Sequence, residues 1–110
     1  MADITARIHE GQGGKSYTWE EINHDDTGET TQVDAGRYTI TCEGTWTGSA
    51  QIDIQYGQTS SNLVNVDDTN LSFTGNGSYN IEIGQGFIKP ARSSGSSGAS
   101  INVYLTPIGG

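Results

Sequence analysis

The stretch Gln51-Ile52-Asp53-Ile54-Gln55-Tyr56 alternates strictly between polar and apolar residues, the period of a strand with one face buried and the other in water. Tyr79, Ile81 and Ile83 repeat this pattern around Asn80 and Glu82, and Ile101, Val103 and Leu105 repeat it around Asn102 and Tyr104. The run Tyr38-Thr39-Ile40-Thr41-Cys42 alternates too, and Ile4, Ala6 and Ile8 do so near the start. Residues 63–66, 71–73 and 86–89 are shorter candidates. No window places apolar residues at helical spacing through three turns. Between the runs lie Asp34-Ala35-Gly36, the glycines of residues 44–48, Asn76-Gly77 and Gly84-Gln85-Gly86. Asn76-Gly77 is a hairpin signal. Pro90 has no N–H for a ladder, so its strand is expected at an edge or to end there. Residues 93–97 read as a mobile polar loop.

Strands about ten residues apart with glycine-rich turns predict an all-β, single-domain antiparallel sandwich, jelly-roll-like. Composition agrees: 110 residues suffice for one domain, and a hydrophobic share of 32% supports only a thin apolar layer between two sheets. Residues 36–110 are expected to form that sandwich. Residues 1–35 are expected to supply one strand and then an irregular polar arm or excursion contacting partners. Its stretch from 10 to 35 is acidic and only weakly patterned around Tyr17, Trp19 and Ile22.

Five basic residues against 13 acidic ones give a net charge of −8. Nucleic-acid binding rests on neutralising phosphates with Lys and Arg, so this balance argues against it, and against anionic membranes for the same reason. No apolar stretch approaches a membrane span. The start lacks a charged leader and an apolar run, an expectation of synthesis and folding in a cytoplasm. Cys42 is the only cysteine, so no intrachain disulfide forms, and its place in an alternating strand makes it a small buried apolar residue.

No residues converge on a chemistry. Gly13-Gly14-Lys15-Ser16 ends like a phosphate-binding loop, but the glycine required five places before Gly14 is replaced by His9. His9 and His24 lack metal-ligand spacing. The carboxylates at residues 20–29 and at Asp67-Asp68 lack calcium-loop spacing and read as solvated acidic loops, with no metal or cofactor expected. Glu43, Asp53 and Glu82 could face one another as a hydrolytic pair, yet all three fall on polar strand faces. A non-enzymatic protein is the expectation. Trp46, between Thr45 and Thr47, reads either as a plug closing one end of the core or as a face for stacking on sugar. Trp19 lies where no core is evident, so it reads as an interface residue.

The stretch Ala35-Gly36-Arg37-Tyr38-Thr39-Ile40-Thr41-Cys42-Glu43-Gly44-Thr45-Trp46-Thr47-Gly48 resembles a pattern common in small structural proteins of tailed bacteriophages. There an alternating strand runs into a Gly-Thr-aromatic-x-Gly turn. A second alternating strand follows, here residues 50–56, and a closing strand, here residues 99–105. The resemblance covers roughly residues 35–108. It implies a virion component, a capsid decoration or cement protein on the outer surface of the major capsid shell, assembled in the host cytoplasm. Its partners would be the major capsid protein and itself, as a trimer or a dimer. On this reading Tyr17, Trp19 and Ile22 are apolar interface contacts, Arg7 and Lys15 are charged ones, and Trp46 is a further candidate. The alternatives are a carbohydrate-recognition module of a tail fibre or spike, using Trp46, and a head–tail joining component.

Overall fold

The computed structural model describes residues 3–4, 6–11, 14–23, 27–47, 50–65, 71–94 and 99–108. Its strands are β1 (Asp3–Ile4), β2 (Arg7–Gly11), β3 (Gly14–Asn23), β4 (Thr27–Gly28), β5 (Thr31–Val33) and β6 (Gly36–Thr45). They continue with β7 (Gln51–Gly57), β8 (Val64–Asn65), β9 (Ser72–Phe73), β10 (Gly77–Ile83), β11 (Gly86–Ser94) and β12 (Ser100–Pro107). One antiparallel sheet has the order β10-β6-β12-β3-β2. The second has the order β5-β11-β7-β8, with β9 also on β7, and β1 and β4 form a small parallel pair. The pairings are nested: β3 with β12, β5 with β11, β6 with β10 and β7 with β8. A long hairpin rolled up so that its arms alternate between two sheets has this nesting, which is the topology of a jelly roll.

The alternating runs land as their pattern requires. Ile52 and Ile54 point inward from the second sheet, and Ile101, Val103 and Leu105 inward from the first, all almost fully buried. With Ile40, Cys42, Val33, Phe73 and Ile88 they form one apolar layer. Each buried Ile or Val contributes roughly 1.5–3 kcal/mol.

Where the structure departs from expectation, the reason is long-range. The polar arm does not exist over residues 14–23, because this segment is β3, an interior strand between β12 and β2. Tyr17, Trp19 and Ile22 are core residues with 1%, 1% and 0% exposure, not interface contacts. A β-bulge hid them. Ile101 pairs with Ile22 and Val103 with Trp19, so two β3 residues, Glu20 and Glu21, stand against Asn102 alone. Glu21 adopts φ 57°, and its N–H donates to Asn102 Oδ1 at 2.8 Å. The extra residue shifts the inward parity by one, so positions 17, 19 and 22 share a face that strict alternation does not connect. Trp19 Nε1 donates to the Glu29 carbonyl at 3.0 Å, tying the chain between β4 and β5 to the core. The sandwich therefore needs residues before Gly36: β3 lies inside one sheet and β5 edges the other.

Three smaller expectations change too. Asn76-Gly77 does not close a hairpin, since β9 pairs with β7 and β10 with β6; the turn carries the chain from one sheet to the other. Pro90 sits inside β11, which continues to Ser94, between β5 and β7. The last β5 partner on that strand is Ile88, opposite Thr31, so at Pro90 no β5 residue seeks its N–H. Gly28 packs on the Pro90 ring, where a Cβ would overlap it. The alternation of Ile4, Ala6 and Ile8 is split between β1 and β2, which lie in different sheets, and Ile8 is 55% exposed at the edge. Of the proposed mobile loop, residues 93 and 94 belong to β11; 95–97 lie outside the described residues.

Cys42 is fully buried, and burial pushes its thiol up from 9.0 to about 12. Burial also raises the phenols of Tyr17 and Tyr38. A raised folded-state value means stability that is complete below the unfolded value and lost as pH rises towards the folded one. The stability these groups contribute should therefore be complete below pH 9 and fall between pH 9 and about 12. Cys42 alone contributes up to about 1.4 kcal/mol per pH unit, and Cys42→Ala should flatten that decline in urea titrations across the range. Trp19→Ala should cost about 3–5 kcal/mol, seen as a large drop in the urea midpoint; a surface arm residue would cost almost nothing.

Candidate interaction surface

Of the sequence-selected residues, Tyr17, Trp19 and Ile22 face inward, while Arg7 and Lys15 lie on the exposed β2–β3 hairpin. The two sets are not brought together. Arg7 Nη1 lies 2.6 Å from Glu20 Oε1, and Lys15 Nζ lies 3.9 Å from Glu10 Oε1. Both pairs are exposed, and such pairs contribute little stability, so either cation can exchange its carboxylate for a partner's at small cost. Gly14, with φ 117°, opens β3, and Gly14, Lys15 and Ser16 pair with Gly11, Glu10 and His9 of β2, so these residues lead into a strand and not into a helix; Gly13 lies outside the described residues.

Trp46 is half-buried and packs against the core where β6 ends. Its Nε1 donates to Asn76 Oδ1 at 2.8 Å, and the Gly44 N–H donates to the same oxygen at 2.9 Å. Asn76 thus locks the exit of β6 to the turn before β10. Gly44 takes φ 147°, and a Cβ there would overlap the Ser100 carbonyl, so the close approach of β12 requires glycine. The geometry gives Trp46 the role of a plug at this end of the sandwich.

The surface that sequence reading did not single out is the outer face of the five-stranded sheet. Register places Thr18, Tyr104, Thr41 and Ser78 in one row across four strands, and Thr106, Thr39 and Asn80 in the next. Tyr104 donates its hydroxyl to Glu43 Oε1 at 2.8 Å, and this bond is the first cause holding its phenol above the ordinary value. Thr39 Oγ1 donates to Asn80 Oδ1 at 2.7 Å. Hydroxyl and amide groups held on a regular sheet make a broad hydrogen-bonding face. The polar members of each alternating run were its signal, but only the register shows that they align.

Glu43, Asp53 and Glu82 do not converge. Asp53 lies on the second sheet, bonded to Gln51 and Ser72. Glu82 pairs with Arg37, six residues along β6 from Glu43, a separation of about 20 Å at strand rise. No group of three or more His, Cys, Asp or Glu poised to hold a metal occurs among the described residues; His24, Asp25, Asp26, Asp67 and Asp68 lie outside them. No helix among the described residues is long and apolar enough to cross a membrane.

A second feature lies at the β10 edge. Tyr79, Ile81 and Ile83 face inward but are only partly covered, and with Ile54, Tyr56, Leu71 and Ile88 they line a cleft of about 360 Å³. Tyr56 closes one end, donating its hydroxyl to the Gly84 carbonyl at 2.9 Å.

Asn76→Ala removes the acceptor shared by Gly44 and Trp46. It should cost about 1–3 kcal/mol and shift Trp46 fluorescence towards that of a solvated indole, read in a Trp19→Phe background to isolate the signal. Comparisons with protein-family models, with curated proteins and with solved structures found no match.

Proposed function

We propose that this chain is a non-enzymatic virion structural protein of a tailed bacteriophage, a capsid decoration or cement protein. It binds the outer surface of the major capsid shell after assembly in the host cytoplasm. The observation that carries the reading is the resemblance over residues 35–108, whose quoted strands are β6, β7 and β12. Two properties of the molecule support it. A chain of net charge −8 is better placed outside a shell than against packaged DNA, where like charges repel. The broad outer face carrying Thr18, Thr39, Thr41 and Tyr104 suits a wide, shallow partner surface better than a small ligand. Arg7, opposite Thr18 at the β2 border of that face, serves as a charged contact; Lys15 shares the parity of Tyr17 and offers its charge from the end of the β2–β3 hairpin rather than from that face. Tyr17, Trp19 and Ile22 take no part, because a buried side chain meets no partner.

A thin-cored domain gains from association, since a partner that binds only the folded state stabilises it by mass action. Quantifying this chain against the major capsid protein in purified virions tests the reading. Copy numbers in the hundreds support it, whereas tens or fewer would place the chain in a tail or joining structure instead. Particles stripped of the chain should lose surface density and break at lower temperature; an unchanged shell would remove the cement role.

A further inference from the structure

We infer that β10 is a self-pairing edge through which two copies join antiparallel about a twofold axis, making one continuous ten-stranded sheet. The inference goes beyond the virion reading and stands whether or not that reading holds.

Exposed edges of sheets are normally guarded by charge, proline, a bulge or extreme shortness. Among the described edges, β2 carries Arg7, His9 and Glu10, β5 has three residues and β8 has two. Strand β10 is different. It is seven residues long, contains no proline or lysine, and keeps unbroken register with β6 from Gly77 opposite Cys42 to Ile83 opposite Gly36. No described strand pairs with its other side. Its inward row of Tyr79, Ile81 and Ile83 borders the open cleft, and among the described residues the second sheet continues beyond β7 in the two-residue strands β8 and β9. An unpaired backbone edge and an under-covered apolar row therefore coincide on one strand.

The strand's own sequence selects the occupant. The antiparallel register that uses all seven residues centres on Asn80. It sets Tyr79 opposite the partner copy's Ile81 on the cleft side, an aromatic and β-branched pair of the kind that stabilises sheets. On the outer face it sets Glu82, the only charge on β10, opposite the partner copy's Ser78. Two chains of net charge −8 thus meet where no like charges are opposed. Each copy supplies the apolar row that closes the open side of the other's cleft.

Sedimentation equilibrium of the full chain across the micromolar range, with three variants, tests this. The wild type should form a dimer that tightens with added salt as the net repulsion is screened. Ser78→Glu places a carboxylate opposite Glu82 twice per dimer and should weaken association by about two- to thirty-fold. Ser78→Lys should strengthen it by a similar factor. Ser78 is exposed on the outer face, so unchanged melting of dilute monomer will show that both variants fold. Asn80→Cys faces its own copy across the axis and should oxidise to a disulfide-linked dimer, while Glu10→Cys on the opposite edge should not; buried Cys42 does not compete. A monomer at every concentration, a trimer, or a dimer indifferent to the charge at position 78 would overturn the proposal. So would failure of Asn80→Cys to cross-link.

Discussion

The insertion of the last strand between two earlier ones is the constraint on which the molecule depends. Strand β12 lies between β3 and β6 and presents Ile101, Val103 and Leu105 to the centre of the core, each at 0% exposure. Without it the first sheet falls into the β2–β3 hairpin and the β6–β10 pair, neither able to cover the second sheet. The link spans most of the chain, joining Ile22 to Ile101. The entropy of closing such a loop grows only slowly with its length, so the cost falls more on folding speed than on stability.

The bulge at Glu21 follows from that insertion. Strand β3 must present Tyr17, Trp19 and Ile22 to the same layer as β12, and those positions do not share a strict period of two. One extra residue in the left-handed region, held by the Asn102 side chain, reconciles them. The consequence for function is direct. A segment whose large side chains occupy the core has none of them left at the surface, so the surface of this sheet is made by its polar outer face and its edges.

Those surfaces differ in chemistry. The outer face offers hydroxyls and amides fixed by a regular sheet, with Tyr104 and Glu43 joined near its middle. The β10 edge offers backbone groups that no described strand pairs, beside an incompletely covered apolar cleft. The first suits a broad wet contact and the second a strand-to-strand one, so a protein of this shape can engage a surface and a sister copy at once. A net charge of −8 opposes indiscriminate association.

Local sequence determined the period of each strand, and with it the inward residues of β6, β7, β10 and β12, the class of fold and the burial of Cys42. These are properties of neighbours two residues apart, which a chain states without knowing its partners. Tertiary structure alone decided which strand lies beside which. It made Tyr17, Trp19 and Ile22 core rather than contact, turned Asn76-Gly77 into a crossing between sheets, and let Pro90 sit inside β11. It also left Tyr79, Ile81 and Ile83 half-covered, although their alternation matches that of the fully buried Ile101, Val103 and Leu105. The physical reason is that periodicity says which way a side chain points, whereas burial depends on what another, distant part of the chain places in front of it.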